Sequence, residues 1–224
     1  MSRVPTAALS ESLESKDGFV APRYRRGQRS ADALLEAGRT LLAEINFEAL
    51  NINDLCAKAA LTKGAFYRRF ESKDAYFLAL QRLALDDAEA WLQTLVETID
   101  RLGATAPTLS QCAWIVVDGI RHWHLRHRGV VRASLQRRDH TTDGWFPFKM
   151  YARGFVEVVS ARMIKLDELR LVPDADARLK VAFQIVIGTM INAALNDPGP
   201  LHLDDEAMSD ALAQMLASYV GGVR

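Results

Sequence analysis

Ile52–Phe70 reads INDLCAKAALTKGAFYRRF, two short helical patterns that meet across Ala60-Leu61. Asn51 is placed to cap the first, and Asp54 suits the positive end of its dipole. Ile52, Leu55, Cys56 and Ala59 share the inner face. Cys56 and Ala59 are small enough to let the next helix approach closely. Leu61 is expected to be buried in the turn. Thr62 caps the second helix, whose inner face is Phe66 and Phe70. Its other face presents Lys63, Gly64, Ala65, Tyr67 and Arg68; Arg69 reads either as surface or as packing within the small domain.

Upstream, Met1 to about Ala21 mixes polar and small residues without sustained periodicity and reads as a mobile extension. Pro22–Arg29 (PRYRRGQR) places four arginines and a tyrosine in eight residues. It reads as an arm for phosphates or a minor groove, against the plainer reading of a solvated tail. Ser30 caps a helix running to about Glu44, with Ala31, Leu34, Leu35, Gly38, Leu41, Leu42 and Ile45 in one stripe. Asn46 suits a helix end, and Phe47 packs back. The chain has 28 Lys+Arg and 28 Asp+Glu, so net charge excludes nothing. Between Ala21 and Lys73, however, ten basic residues face six acidic ones, a local footprint suited to nucleic acid.

Downstream, Lys73 to about Arg101 forms one long helix of roughly 40 Å. It belongs to both halves, so tilting its far end would move the second short helix. Further helices are expected over Leu109–His127, Arg128–Arg138, Asp143 to about Leu169, Ala175–Asn196 and from Asp204 onward. Val181–Leu195 is apolar nearly all round, which demands cover on every side; a second copy is the natural cover. Asp118 and His122 lie one turn apart, but no second ligand pair supports a metal site. Cys56 and Cys112 read as small buried hydrophobes. With no signal-peptide core and no run of about 18 apolar residues, the expectation is a cytoplasmic protein with no membrane partner.

The run Arg29 to about Leu80 resembles the DNA-binding domain of the TetR/AcrR family of bacterial transcriptional regulators. The resemblance rests on the helix 1 stripe, Asn46-Phe47, Asp54-Leu55 and above all Leu61–Asp74 (LTKGAFYRRFESKD). It covers about a quarter of the chain. It implies an all-α fold: a three-helix helix-turn-helix domain, then a larger helical ligand-binding and dimerisation domain, about nine helices. The boundaries are 1–28 for a flexible basic extension, 29–75 for the DNA-binding domain and 76–224 for the body. Three positions depart from the family pattern. Ala60 stands where Gly is usual, at a cost of roughly 1 kcal/mol if φ is positive. Asn46 replaces a common Gly, and Ala65 replaces a Thr or Ser that often reaches DNA.

The implied DNA-binding residues are Asn51, Asn53, Thr62, Lys63, Gly64, Ala65, Tyr67, Arg68 and Lys73. Lys63 is the candidate for a guanine edge, and Ala65 keeps a methyl for thymine. Thr62, Tyr67 and Lys73 are candidates for phosphate, and Arg68 for phosphate or base. The implied partners are double-stranded operator DNA, a second copy through the two C-terminal helices, and a small apolar or aromatic effector. Candidate effector contacts are Trp91, Trp114, Trp123, Phe146 and Tyr151, each of which also reads as simple core. No cofactor or metal is expected. The function so implied is a dimeric repressor released from DNA by ligand. The alternatives are an all-helical enzyme, for which no nucleophile elbow, phosphate loop or paired carboxylates are found, and an interaction module with a structural helix-turn-helix.

Overall fold

The computed structural model of the chain describes residues 13–103, 106–137 and 144–222. Among them the fold is all-α. The helices are α1 (Arg25–Glu44), α2 (Ile52–Lys58), α3 (Lys63–Tyr67), α4 (Lys73–Leu102), α5 (Leu109–Gln136), α6 (Phe146–Met163), α7 (Ala175–Asn196) and α8 (Glu206–Gly221). A 3₁₀ turn at Asp167–Leu169 follows α6. The chain divides into two compact units, Met1–Asp87 with His127–Arg138, and Ala88–Arg126 with Asp139–Arg224.

The first unit is built on aromatic rings. Phe66, Phe70, Tyr76 and Phe77 are all buried. Phe70 lies 5.3 Å from Phe66 and 4.9 Å, edge-on, from Tyr76, while Phe47 meets Phe77 at 4.7 Å. Such pairs add to the area they bury, because ring edges and faces carry opposite partial charge. The Tyr76 hydroxyl, sealed in this core, donates to the Leu34 carbonyl at 2.6 Å. Gly38 makes room for it: a Cβ there would lie 1.7 Å from the Tyr76 oxygen. Burial pushes the Tyr76 phenol well above its ordinary pKa, so it stays a donor.

Three expectations change in this unit. First, α1 begins at Arg25 rather than after Ser30, so most of the arginine-rich segment is helical. Ser30 donates instead to the Arg26 carbonyl at 3.1 Å. Second, residues 13–21 are not a free extension. Leu13 and Phe19 are buried, and the Phe19 ring meets that of Phe70 at a tilt, 5.3 Å apart. The first twelve residues of the expected extension lie outside the described residues. Third, Arg128–Arg138 is not a separate helix, because α5 runs unbroken to Gln136. Nothing between His127 and Gly129 stops a helix. Gly129 is there for contact: a Cβ would sit 2.2 Å from the Leu42 carbonyl, so α5 touches the end of α1 backbone to backbone. Arg132 then donates to the Leu42 and Ile45 carbonyls at 2.7 and 3.1 Å, satisfying orphan acceptors at that helix end.

In the second unit α6, α7 and α8 pack together. Phe155, Leu179, Phe183, Val186, Met190 and Leu216 are buried. Arg121 is buried too, and its charge is fully engaged. It donates to Ser209 Oγ (2.7 Å), the Leu203 carbonyl (2.8 Å) and Asp118 Oδ1 (2.9 Å). Asp118 is thus an ion-pair partner, with His122 Nδ1 3.2 Å from its other oxygen. The α6 helix ends at Met163 rather than near Leu169, and the expected Asp143 cap lies outside the described residues. Asp205, not Asp204, caps α8 through the Ala207 amide at 3.0 Å. By length and composition α7 could cross a membrane, with a mean hydropathy of 1.3. Here it is a packed helix that leaves Val181 and Ile185 43% and 44% exposed.

Candidate nucleic-acid interface

The turn between α2 and α3 closes by a Schellman pattern. The Leu61 amide donates to the Cys56 carbonyl at 2.8 Å, and the Ala60 amide to the Ala57 carbonyl at 3.1 Å. This geometry requires a left-handed residue between them, and Ala60 has φ 53°. The sequence departure noted above is therefore a strained one. Leu61 is half-buried rather than enclosed.

Thr62 caps α3, its Oγ1 accepting from the Ala65 amide at 3.3 Å. The short helix buries Ala65 and Phe66 and exposes Lys63, Gly64, Tyr67 and Arg68. Tyr67 is 55% exposed, its ring edge-on to Phe66 at 5.3 Å. Asn53 is exposed on the preceding helix. Thr62, Lys63, Gly64, Tyr67 and Arg68 leave the exposed side of α3 without a carboxylate.

Three of the expected residues stand elsewhere. Ala65 is only 7% exposed, because position 65 is one residue from the buried Phe66 on the inward side of a one-turn helix. Its methyl packs inside the domain, not outward. Asn51 is committed to capping α2, its Oδ1 accepting from the Asp54 amide at 2.9 Å and its amide pairing with the Asp54 carboxylate. Lys73 is tethered: Nζ donates to the Glu48 carbonyl at 3.2 Å and sits 4.4 Å over the Phe47 ring. Burial lowers its pKa, with Glu48 and Asp74 pulling the other way. Two of its three ammonium protons remain for an anion. Arg69 is half-buried and donates to the Val20 carbonyl at 3.5 Å.

A residue the sequence did not single out lies near Lys73. Arg137, at the end of α5, pairs with Asp74 at 2.8 Å and lies 4.6 and 5.0 Å from the Phe47 and Phe77 rings. Nothing in its local sequence distinguishes it from its neighbours; only tertiary placement does.

The second unit holds a cavity of about 60 Å³ walled by rings and aliphatic groups. Trp91 stacks on Phe155 at 5.3 Å, and Trp145 on Phe148 at 5.3 Å. Gly119 lets Trp91 lie against α5, since a Cβ there would be 2.1 Å from the indole. Tyr151 donates to the Ala88 carbonyl at 2.6 Å, and burial, aided by Glu89, raises its pKa. Of the five expected effector contacts, Trp91, Trp123 and Tyr151 line the cavity. Trp114 and Phe146 do not. Trp114 is 37% exposed and donates to Asp210 at 2.8 Å; Phe146 is 53% exposed at the first turn of α6. Helical spacing cannot tell the inward face of α5 or α6 from the outward one where both are apolar. Trp145, Phe148 and Phe155 also line the cavity. Among the described residues no group of three His, Cys, Asp or Glu is arranged to hold a metal. Cys56 and Cys112 are both buried, and burial raises both thiol pKa values.

Residues 34–80 match the family model of bacterial regulatory proteins, tetR family. Over 62 residues the chain is 32% identical to the transposon Tn10 TetC protein of Escherichia coli, a match that spans 28% of this chain and 32% of that protein. Two solved structures share the fold over most of their length. The transcriptional regulator FadR from Bacillus subtilis, in complex with stearoyl-CoA, superposes with a TM-score of 0.58 at 15% identity, covering 83% of this chain and 97% of that one. A TetR/AcrR-family regulator from Thermobifida fusca gives 0.57 at 17% identity, covering 90% and 100%.

Proposed function

We propose, from the match of residues 34–80 to the family model of bacterial regulatory proteins, tetR family, that the chain is a dimeric, sequence-specific, DNA-binding transcriptional regulator. It works as a cytoplasmic repressor that a small ligand releases from its operator. The observation that carries the reading is the α3 surface, where Lys63, Tyr67 and Arg68 stand exposed on a helix whose other side is locked into an aromatic core. A rigidly held helix with small Gly64 on its outer side can enter a major groove, with Lys63 toward base edges and Thr62, Tyr67, Arg68 and Lys73 toward phosphates. Asn53 adds a contact from α2. No enzymatic activity is part of this reading.

The C-terminal helices support pairing. Val181 and Ile185 on α7 and Tyr219 on α8 are 43%, 44% and 43% exposed. Covering them with the same face of a second copy gives a twofold four-helix contact and two reading heads for a near-palindromic site. FadR was solved with stearoyl-CoA. In this chain the cavity between Trp91, Trp123 and Tyr151 favours a small, uncharged, apolar or aromatic effector. At about 60 Å³ it is smaller than the ~150 Å³ cavity known to hold benzene, so its walls must part on entry.

A salt series of binding to the DNA upstream of its own gene tests the reading. Affinity should fall steeply with salt, and Lys63→Ala should relax base preference while Tyr67→Phe weakens all sequences alike. Salt-insensitive or absent binding sinks it.

A further inference from the structure

Residues 13–21 form a strap sewn to the end of α3 and the start of α4. The Val20 amide donates to the Arg69 carbonyl at 2.8 Å, and the Glu71 amide to the Gly18 carbonyl at 2.9 Å. Arg82 donates to the Glu14 and Lys16 carbonyls at 3.3 and 3.2 Å and lies 5.9 Å from the Phe19 ring. The strap leads directly into Arg23, Tyr24, Arg25, Arg26 and Arg29, all exposed, Tyr24 by 81%. Gly27 lies against the Arg69 side chain just past α3: a Cβ there would lie 2.2 Å from Arg69 Nη2. The arginines are therefore held in place next to the end of the reading helix.

Their placement opposes the stability of the isolated chain. They crowd the positive end of α1, where like charge costs tenths of a kcal/mol each, and Arg25 and Arg29 stand one helical turn apart. The first turn contains no acidic residue, and Tyr24 supplies no side-chain cap. No ion pair within the described residues engages any of the four. Such an arrangement is relieved by a polyanion that runs past both this turn and the adjoining Thr62–Arg68 surface.

We propose that Arg23, Arg25, Arg26 and Arg29 are a positioned clamp for the phosphate backbone of duplex DNA, beside the groove that α3 reads. The strap turns what would be a floating tail into a fixed contact. Its energy is sequence-independent, since phosphates carry no base information. The clamp rests on the DNA-binding reading given above.

The test compares the wild type with Arg23→Ala/Arg25→Ala/Arg26→Ala/Arg29→Ala and with the matching Arg→Lys quadruple. The probes are a 30-base-pair duplex selected by the wild-type protein from a random library and a scrambled duplex of the same composition. Affinity is read by fluorescence anisotropy across a salt series. The Ala variant should lose about tenfold or more for both duplexes, keep its preference between them, and show a salt slope lower by about 2–4 per protomer. The Lys variant should keep the slope. Its thermal midpoint should be no lower for the Ala variant, which removes repulsion; if it is lower, the Arg23→Ala/Arg25→Ala pair serves with the same readout. An unchanged slope in a folded Ala variant overturns the clamp, including where that variant instead loses binding to anionic lipid vesicles. Failure of the wild type to bind any duplex overturns the regulator reading together with the clamp.

Discussion

The two units use aromatic residues in opposite ways. In the first, Phe19, Phe47, Phe66, Phe70, Tyr76 and Phe77 fit ring against ring, and every one is nearly inaccessible. In the second, Trp91, Trp123, Trp145, Phe148, Tyr151 and Phe155 are also neighbours, yet they leave a void of about 60 Å³ between them. A filled core holds a helix in one pose, because any displacement breaks many close contacts at once. A core with a void has walls that lack partners on one side, so they can be repositioned at lower cost. The packing of the first unit holds a surface still, and that of the second leaves room between its rings.

Replacing Phe70 strikes the filled core hardest. Phe70→Ala should cost about 3–5 kcal/mol, since Phe19, Phe66 and Tyr76 all lose a ring partner and the strap loses its anchor. Urea denaturation measures the loss, and a cost under about 1 kcal/mol contradicts the packing described. A matched pair of substitutions sharpens the contrast. Ala79→Val adds volume where none is spare and should cost about 1–3 kcal/mol, whereas Ala152→Val, on the cavity wall, should stay within about 1 kcal/mol of wild type. Equal costs would erase the distinction between the two cores. Ala60→Gly should stabilise the chain by about 0.5–1 kcal/mol, because φ 53° is strained for alanine and free for glycine. A drop in stability there would mean that glycine's entropy outweighs the relief.

The smallest effect lies at the surface of the second unit. A hydrogen bond to Asp197, followed by that carboxylate's charge, raises the pKa of His202; Asp204 and Asp205 act the same way. A histidine raised in the folded chain stabilises it below the unfolded pKa and loses that contribution as pH rises through the raised value. His202→Gln should therefore lower the thermal midpoint slightly at pH 5.5 and leave it unchanged at pH 8.5. A difference confined to the alkaline side would reverse the sign.

The short-range part of this structure was legible in the sequence. Asn51 and Thr62 as caps, the Ala60 turn and the buried Phe66 and Phe70 all follow from neighbours within four residues. What failed was decided over longer distances. Ala65 looked like an outward residue because a five-residue helix has too few positions to fix its phase. Phe19 looked like tail because its partner, Phe70, is fifty-one residues away. Trp114 and Phe146 looked like pocket because an apolar side chain carries no mark of which side it faces. The tether of Lys73, a candidate phosphate contact, could not be foreseen either, because its partner is a backbone carbonyl, that of Glu48.

The meeting of Gly129 with Leu42 has a mechanical consequence. Most helix contacts are cushioned by side chains, which rotate and absorb small shifts. Here main chain meets main chain, with Arg132 pinning the adjoining carbonyls. A joint of that kind has almost no slack. A sub-ångström slide of α5 at this point either drags the end of α1 along with it or pulls Arg132 off its acceptors, and no intermediate accommodation is open to it.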